Sequence, residues 1–316
     1  MTVHCPSRHR PGAVGLAAAL TVLFVCSAAS AARMPWHESF DVALDMARES
    51  QKPILVFVHL GPVDSKEGRA PDPQYEQMVS GTLVDEIVVN AASAFECVEL
   101  DLRKRSSDEA RDKLHVAPAR DENTGALTGV YPITLFLDHN GNESFRVHGY
   151  LPPAAYALQL TKSVLLIKYQ EDVARAPEDA VARRNLGRIC MEMFAEDTDE
   201  FYEAAITNLE LAVALDPDNQ TGANYDARVD LAIMRLPDDL EASFAALFQL
   251  QSEDTERTRC FEIQYYMGVA QYALGNAPAA IQILESFETA DEDSPYFDNE
   301  WTALALALLK HMRERQ

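Results

Sequence analysis

The sharpest pattern in the chain is a short unbroken apolar run, Ile54 to Val58, that follows Lys52-Pro53 and ends in the punctuation of Gly61-Pro62. A run of this length between turn residues reads as a strand buried on both faces, the centre of a parallel or mixed sheet. Upstream, Trp36 to Ser50 has helical spacing, with Phe40, Ala43, Leu44 and Ala47 on one stripe. Downstream, Tyr75, Met78 and Val79 continue a helix beyond Pro71 and Pro73, Phe95 to Leu102 reads as a second strand ending in Asp101, and Ser106 to Leu114 as a polar helix. Ile133 to Leu137 and Glu143 to Val147 flank His139-Asn140-Gly141-Asn142, and Asn-Gly between two such runs predicts a hairpin. A long helix follows from Pro153 to about Asp172. Between Val116 and Pro132 the chain is polar, and Asp121 to Gly129 reads as a surface insertion.

From Pro177 onward everything has a helical period, and one spacing occurs twice. Asn185-Leu186-Gly187 is followed by Ala205, Leu209, Ala212 and Pro217; Met267-Gly268 is followed by Gly275, Ala280, Leu284 and Phe287. The first copy carries about six extra residues, Ala195 to Glu200. Tyr225 to Arg235 and Leu240 to Leu250 form a degenerate pair between them, and Phe297 to Arg313 a last helix. Glycine lets paired helices approach and alanine fits where they cross. One pair cannot bury its apolar face alone, so about three pairs must stack.

Trp36, Phe40, Lys52-Pro53-Ile54-Leu55-Val56 and Val130-Tyr131-Pro132-Ile133-Thr134 together resemble the thioredoxin-fold superfamily, in particular its secreted thioredoxin-like domains. The second half resembles the tetratricopeptide (TPR) repeat. The expected fold class is therefore an α/β thioredoxin-like domain over residues 34–172 followed by an all-α TPR-like helical repeat domain over 177–316. The first resemblance implies that Pro132, after Tyr131, is a cis-proline that faces the motif loop and offers backbone groups to peptides. It also implies Cys-x-x-Cys after the leading strand, and here the matching positions are Pro62 and Ser65. Pro62 has no nucleophile to activate, and Ser65 would need a base, for which His59 is the nearby residue and no Ser-His-Asp pattern exists. The second resemblance implies a concave groove lined by the first helix of each pair. It puts Arg184 and Arg188 there, with Tyr265 and Tyr272, as candidate peptide-binding residues. The competing expectation is that the arginines pair with Glu178, Asp179 or Glu192.

Residues 1–32 carry Arg8 and Arg10, an apolar stretch from Ala13 to Val25 and Ala29-Ser30-Ala31, and so read as a secretory signal peptide. Lipidation at Cys26 is disfavoured by the large residues before it. The chain has 27 basic and 50 acidic residues; without the two signal arginines it has 25 against 50, a net charge of −25. That surface repels phosphate backbones, which excludes nucleic-acid binding. After the signal no segment has the length of a membrane span.

Three of the five cysteines, Cys97, Cys190 and Cys260, lie beyond the signal, too few and too scattered for a disulfide scaffold. They read as small buried hydrophobes, with a Cys190–Cys260 bridge left open. Histidines 37, 59, 115, 139 and 148 show no metal-binding spacing, and no cofactor is implied. Asn142 and Asn219 head formal glycosylation sequons. The expectation is an exported, periplasmic or secreted, interaction or scaffold protein with a protein or peptide partner. Two alternatives stand beside it: a thiol-disulfide oxidoreductase using Cys97, and a chaperone-like holdase.

Overall fold

The computed structural model describes residues 33–61, 73–117, 119–120, 127–128, 130–194, 200–254, 259–289 and 299–315. The signal segment 1–32, Pro62, Ser65, the extra residues 195–199 and most of the 121–129 insertion lie outside them.

The first part runs β1 (Trp36–His37), α1 (Phe40–Ser50), β2 (Ile54–His59), α2 (Pro73–Ser80), α3 (Glu86–Ala92), β3 (Glu96–Asp101) and α4 (Asp108–Lys113). It continues with the two-residue strands β4 (Ala119–Arg120) and β5 (Leu127–Thr128), then β6 (Ile133–Leu137) and β7 (Glu143–His148). One five-stranded mixed sheet has the order β1-β3-β2-β6-β7, with β1, β3 and β2 parallel, β6 antiparallel to β2, and β7 antiparallel to β6.

Trp36 and His37 correct the helical reading of this stretch. They pair with Cys97 and Val98, and the helix starts only at Phe40 because Ser39, in extended backbone, accepts a 3.3 Å hydrogen bond from Val42 N–H as its N-cap. The pattern also concealed α3, seven residues long and capped by Asp85.

All six residues of β2 are buried, which is why its sequence does not alternate. Ile54, Val56 and Val58 pack with Phe40, Leu44, Ala110 and Leu114 under α1 and α4. Leu55 and Phe57 pack with Met78, Val88, Tyr156 and Leu160 on the other face. In the β6–β7 turn Asp138 accepts from the backbone of Asn140 and Asn142, and Gly141 takes a φ of +88° that favours glycine.

The second part is helical: α5 (Pro153–Arg175), α6 (Ala180–Phe194), α7 (Glu200–Leu215), α8 (Ala223–Met234), α9 (Leu240–Glu253), α10 (Cys260–Ala273), α11 (Ala277–Leu284) and α12 (Asn299–Glu314). Helix α5 serves both parts. Its Tyr156, Leu160 and Ile167 cover the sheet, while Leu166 and Val173 join Leu186, Ile189, Met193 and Phe201 of α6 and α7. An added Cβ on Gly187 would lie 2.6 Å from Leu209 Cγ, and one on Gly268 would lie 2.6 Å from Leu284 Cδ2. The same close crossing therefore recurs in α6/α7 and α10/α11. No helix among the described residues is long and apolar enough to cross a membrane.

Candidate functional site

In an open sheet the carboxyl ends of parallel strands are the usual place for chemistry. Here the ends of β2 and β3 carry His59, Glu99 and Asp101, with Tyr75 of α2 beside them. The His59 ring is 3% exposed and lies between Phe57 and Tyr75, at centroid distances of 5.5 and 4.8 Å. Its Nδ1 accepts a hydrogen bond from Gly61 N–H at 2.8 Å, so the ring proton sits on Nε2, which donates to Glu99 Oε1 at 2.8 Å. Both nitrogens are committed, and His59 has no lone pair left to act as a base for a serine.

Asp101 holds Arg103 in a fork, Nε to Oδ1 and Nη2 to Oδ2, each at 3.0 Å. Burial would raise the Asp101 pKa, but the hydrogen bonds from Arg103 outweigh it and keep the carboxyl below the usual range. The guanidinium stands over Gly61, where a Cβ would come within 1.7 Å of Nη2, and only glycine leaves that space.

The hydrogen bond from His59 holds the Glu99 carboxyl below its ordinary value of 4.5, against the opposing effect of burial. A carboxylate with a depressed folded-state pKa stabilises the fold above its unfolded pKa, and that contribution is lost as pH falls through the folded value. Glu99→Gln is therefore expected to flatten the acid-induced fall in stability, read as the change in urea midpoint between neutral pH and pH values below the ordinary glutamate range. An acid profile identical to the parent's would refute this role.

Tyr131-Pro132 is a cis peptide, as the resemblance implies, and both residues are buried. Tyr131 donates its hydroxyl hydrogen to Val116 O at 2.9 Å, and Pro132 O accepts from Gly149 N–H at 2.7 Å. Pro62 and Ser65, expected to face them, lie outside the described residues.

Cys97 sits near the opposite end of β3, fully buried between strand partners Trp36 and Leu55. Burial, with a smaller effect of Glu96, pushes its thiol up to about 12. Cys190 is pushed up to about 12 by burial as well. Cys97, Cys190 and Cys260 are all buried and none is in a disulfide, so Cys190 and Cys260 are not bridged. Since the thiolate is the reactive form, Cys97 is expected to stay unmodified by iodoacetamide in the native chain and to alkylate once urea unfolds it. Mass spectrometry reads the difference, and native alkylation of Cys97 at neutral pH would contradict its burial.

In the helices the structure brings Arg184 and Arg188 together around Asp230 of α8, which is 0% exposed. Arg188 Nη1 lies 2.6 Å from Asp230 Oδ1 and 3.0 Å from Glu262 Oε1, and its Nε lies 3.2 Å from Glu192. Arg259 reaches Asp230 Oδ1 at 2.6 Å and, through Nε, Glu262 Oε2 at 2.7 Å. Arg184 faces Asp226 at 3.3 Å. Burial would lower the pKa of Arg188, but Asp230 and Glu262 outweigh it and raise the value. Of the three acids expected as partners Glu192 pairs with Arg188, and Asp179 instead caps α6 through Val181 and Ala182 N–H. Tyr265 and Tyr272 are not part of this cluster; they pack with Phe287 and Trp301 under α11 and α12.

The sequence reading missed Asp230, Arg259 and Glu262. The available signal was a lone acid inside Val229-Asp230-Leu231-Ala232-Ile233, where a buried charge demands partners.

An open hollow lies between α8 and α9. It encloses about 380 Å³ over a floor of Leu231, Ala232 and Leu250, with Ala246 on its wall and Arg228 and Arg235 at its rim. Arg228 is paired with Glu253 at 2.7 and 3.2 Å, and Arg235 with Glu210. Arg228 also borders a larger polar hollow of about 630 Å³ lined by Asp218, Tyr225, Asp226 and Asp254. Among the described residues no three His, Cys, Asp or Glu side chains gather as a metal site would need. No family model matches the chain, and no curated protein or solved structure matches it either.

Proposed function

We propose that this is an exported interaction protein, in which a thioredoxin-like domain without its redox motif carries a TPR-like array that binds a peptide segment of another protein. The observation that carries the reading is the groove between α8 and α9. Its size suits a few inserted side chains, its floor is apolar, and its rim holds two arginines paired, among the described residues, with exposed carboxylates. Such exposed pairs are worth little in water, so a partner's carboxylates exchange for them at small cost. The sheet order and the cis Tyr131-Pro132 bond support the thioredoxin-like part. The recurring Gly187–Leu209 and Gly268–Leu284 contacts support the TPR-like part. The signal-like sequence of residues 1–32 supports export.

Thiol exchange is the weaker reading. The fold positions that would hold a nucleophile are Pro62 and Ser65, and Cys97 lies buried at the far end of its strand. A peptide array screened with the chain and with Ala246→Trp tests the proposal. The indole fills the groove from its wall, so peptides selected by the parent should bind the variant at least about tenfold more weakly, a change on the order of 1.4 kcal/mol. Peptides bound equally by both would place recognition elsewhere.

A further inference from the structure

We propose that His59 is a proton-driven latch on the turn that ends β2: when its ring takes a second proton, Gly61 must give up its hydrogen bond and move. The neutral ring accepts Gly61 N–H at Nδ1, 2.8 Å away, and donates Nε2–H to Glu99 at 2.8 Å. The imidazolium carries a hydrogen on both nitrogens and accepts at neither. Two donors would then face each other across 2.8 Å, so the protonated ring and the present turn exclude one another. Gly61 is itself buried, and its N–H cannot turn to solvent where it stands.

The surroundings decide which of the two moves. The ring is held between Phe57 and Tyr75, and its bond to Glu99 strengthens once both groups are ions. Gly61 has a φ of +71° and no side chain to anchor it, so the glycine is the part able to rearrange. Among the described residues the charges facing the ring are of both signs. Glu99 and Asp101 of β3 favour the imidazolium. Arg103 and Lys104, which reach Asp101 at 3.0 and 4.0 Å, oppose it. Tyr75 of α2 stays neutral, because burial first and then Glu99, Glu76 and Asp101 raise its hydroxyl pKa. Acidification therefore couples a charge at the end of β2 to the backbone of the turn that follows it.

Nuclear magnetic resonance on the full chain, isotopically labelled at glycine and histidine nitrogens, tests this between about pH 8 and about pH 5. Gly61 amide exchange is read as protection relative to an unstructured glycine amide at the same pH. On acidification that protection should fall at least about tenfold, along the same curve on which the His59 ring nitrogens report the second proton. His59→Asn, with a carbonyl acceptor that takes no proton, should hold Gly61 protection level across the range. Should that variant not fold by circular dichroism, Glu99→Gln carries the test. Without the anionic partner, ring and Gly61 should respond together at lower pH. Gly61 protection that stays level while the ring titrates would overturn the proposal. So would a ring that stays neutral throughout, a folded His59→Asn chain in which Gly61 still responds, or ring and Gly61 responses that separate in Glu99→Gln.

Discussion

Asp230→Ala is expected to destabilise the helical part of the chain by about 3–5 kcal/mol, the usual consequence of removing one partner from a buried ion pair. Asp230 is wholly buried on α8, and its Oδ1 receives Arg188 from α6 and Arg259 from the N-cap of α10. With alanine in place, two guanidiniums that burial alone would disfavour lose their shared counter-ion and keep Glu262, with Glu192 beside Arg188 and the more distant Asp226 beside Arg259. The effect is the desolvation of the cations left behind, not the net worth of the ion pair. Asp230→Asn keeps an acceptor oxygen and should lose less than alanine does. Urea unfolding followed by far-UV circular dichroism reads both, as a shift in midpoint at constant slope. Because the pairs are buried, added salt should leave the difference nearly unchanged. A loss below about 1 kcal/mol for alanine would mean the network behaves as a solvated surface pair.

The second large effect is expected at a glycine. Gly268→Val should destabilise by about 3 kcal/mol, at the upper end of the range for overpacking a closed core. The first added carbon already falls 2.6 Å from Leu284 Cδ2 and 2.8 Å from its Cγ, and Leu284 is fully buried with no free direction to retreat. Gly268→Ala should lose less, because better helix propensity returns about 1 kcal/mol. If the clash is with Leu284, Gly268→Val/Leu284→Ala should be more stable than the sum of its single changes predicts, which a double-mutant cycle measures. Strict additivity would locate the strain elsewhere.

Much of the architecture was legible because burial writes itself into periodicity. The unbroken Ile54–Val58 run gave a central strand, Asn140-Gly141 gave the hairpin, and Gly187 and Gly268 marked crossings that geometry now shows to be tight. The short elements were not legible. Trp36–His37 pairs across the chain with β3, a contact no local window contains, and α3 is too short to display a stripe.

The candidate site was legible only in part. Arg184 and Arg188 stood out as a pair at helical spacing, but their partners, Asp226, Asp230 and Glu262, come from two later helices. The groove was invisible for the opposite reason: its floor is ordinary Leu and Ala, and what distinguishes Leu231 or Ala246 from any other core residue is the space in front of it. His59 drew attention as a lone base candidate, yet its environment, with Gly61 N–H on one nitrogen and Glu99 on the other, is set by tertiary contact.

The claim that this chain works by holding a partner segment in the α8/α9 groove is tested most directly by site-specific photo-crosslinking. A benzophenone side chain is placed at Gln249 on the groove rim, with a control at exposed Ile87 in the sheet-bearing part. After illumination in an extract of the cells that make the chain, the account predicts a discrete crosslinked partner from Gln249 that is lost in the Ala246→Trp background and absent at Ile87. The same partner captured from Ile87 as from Gln249, or undiminished by the filled groove, would contradict it.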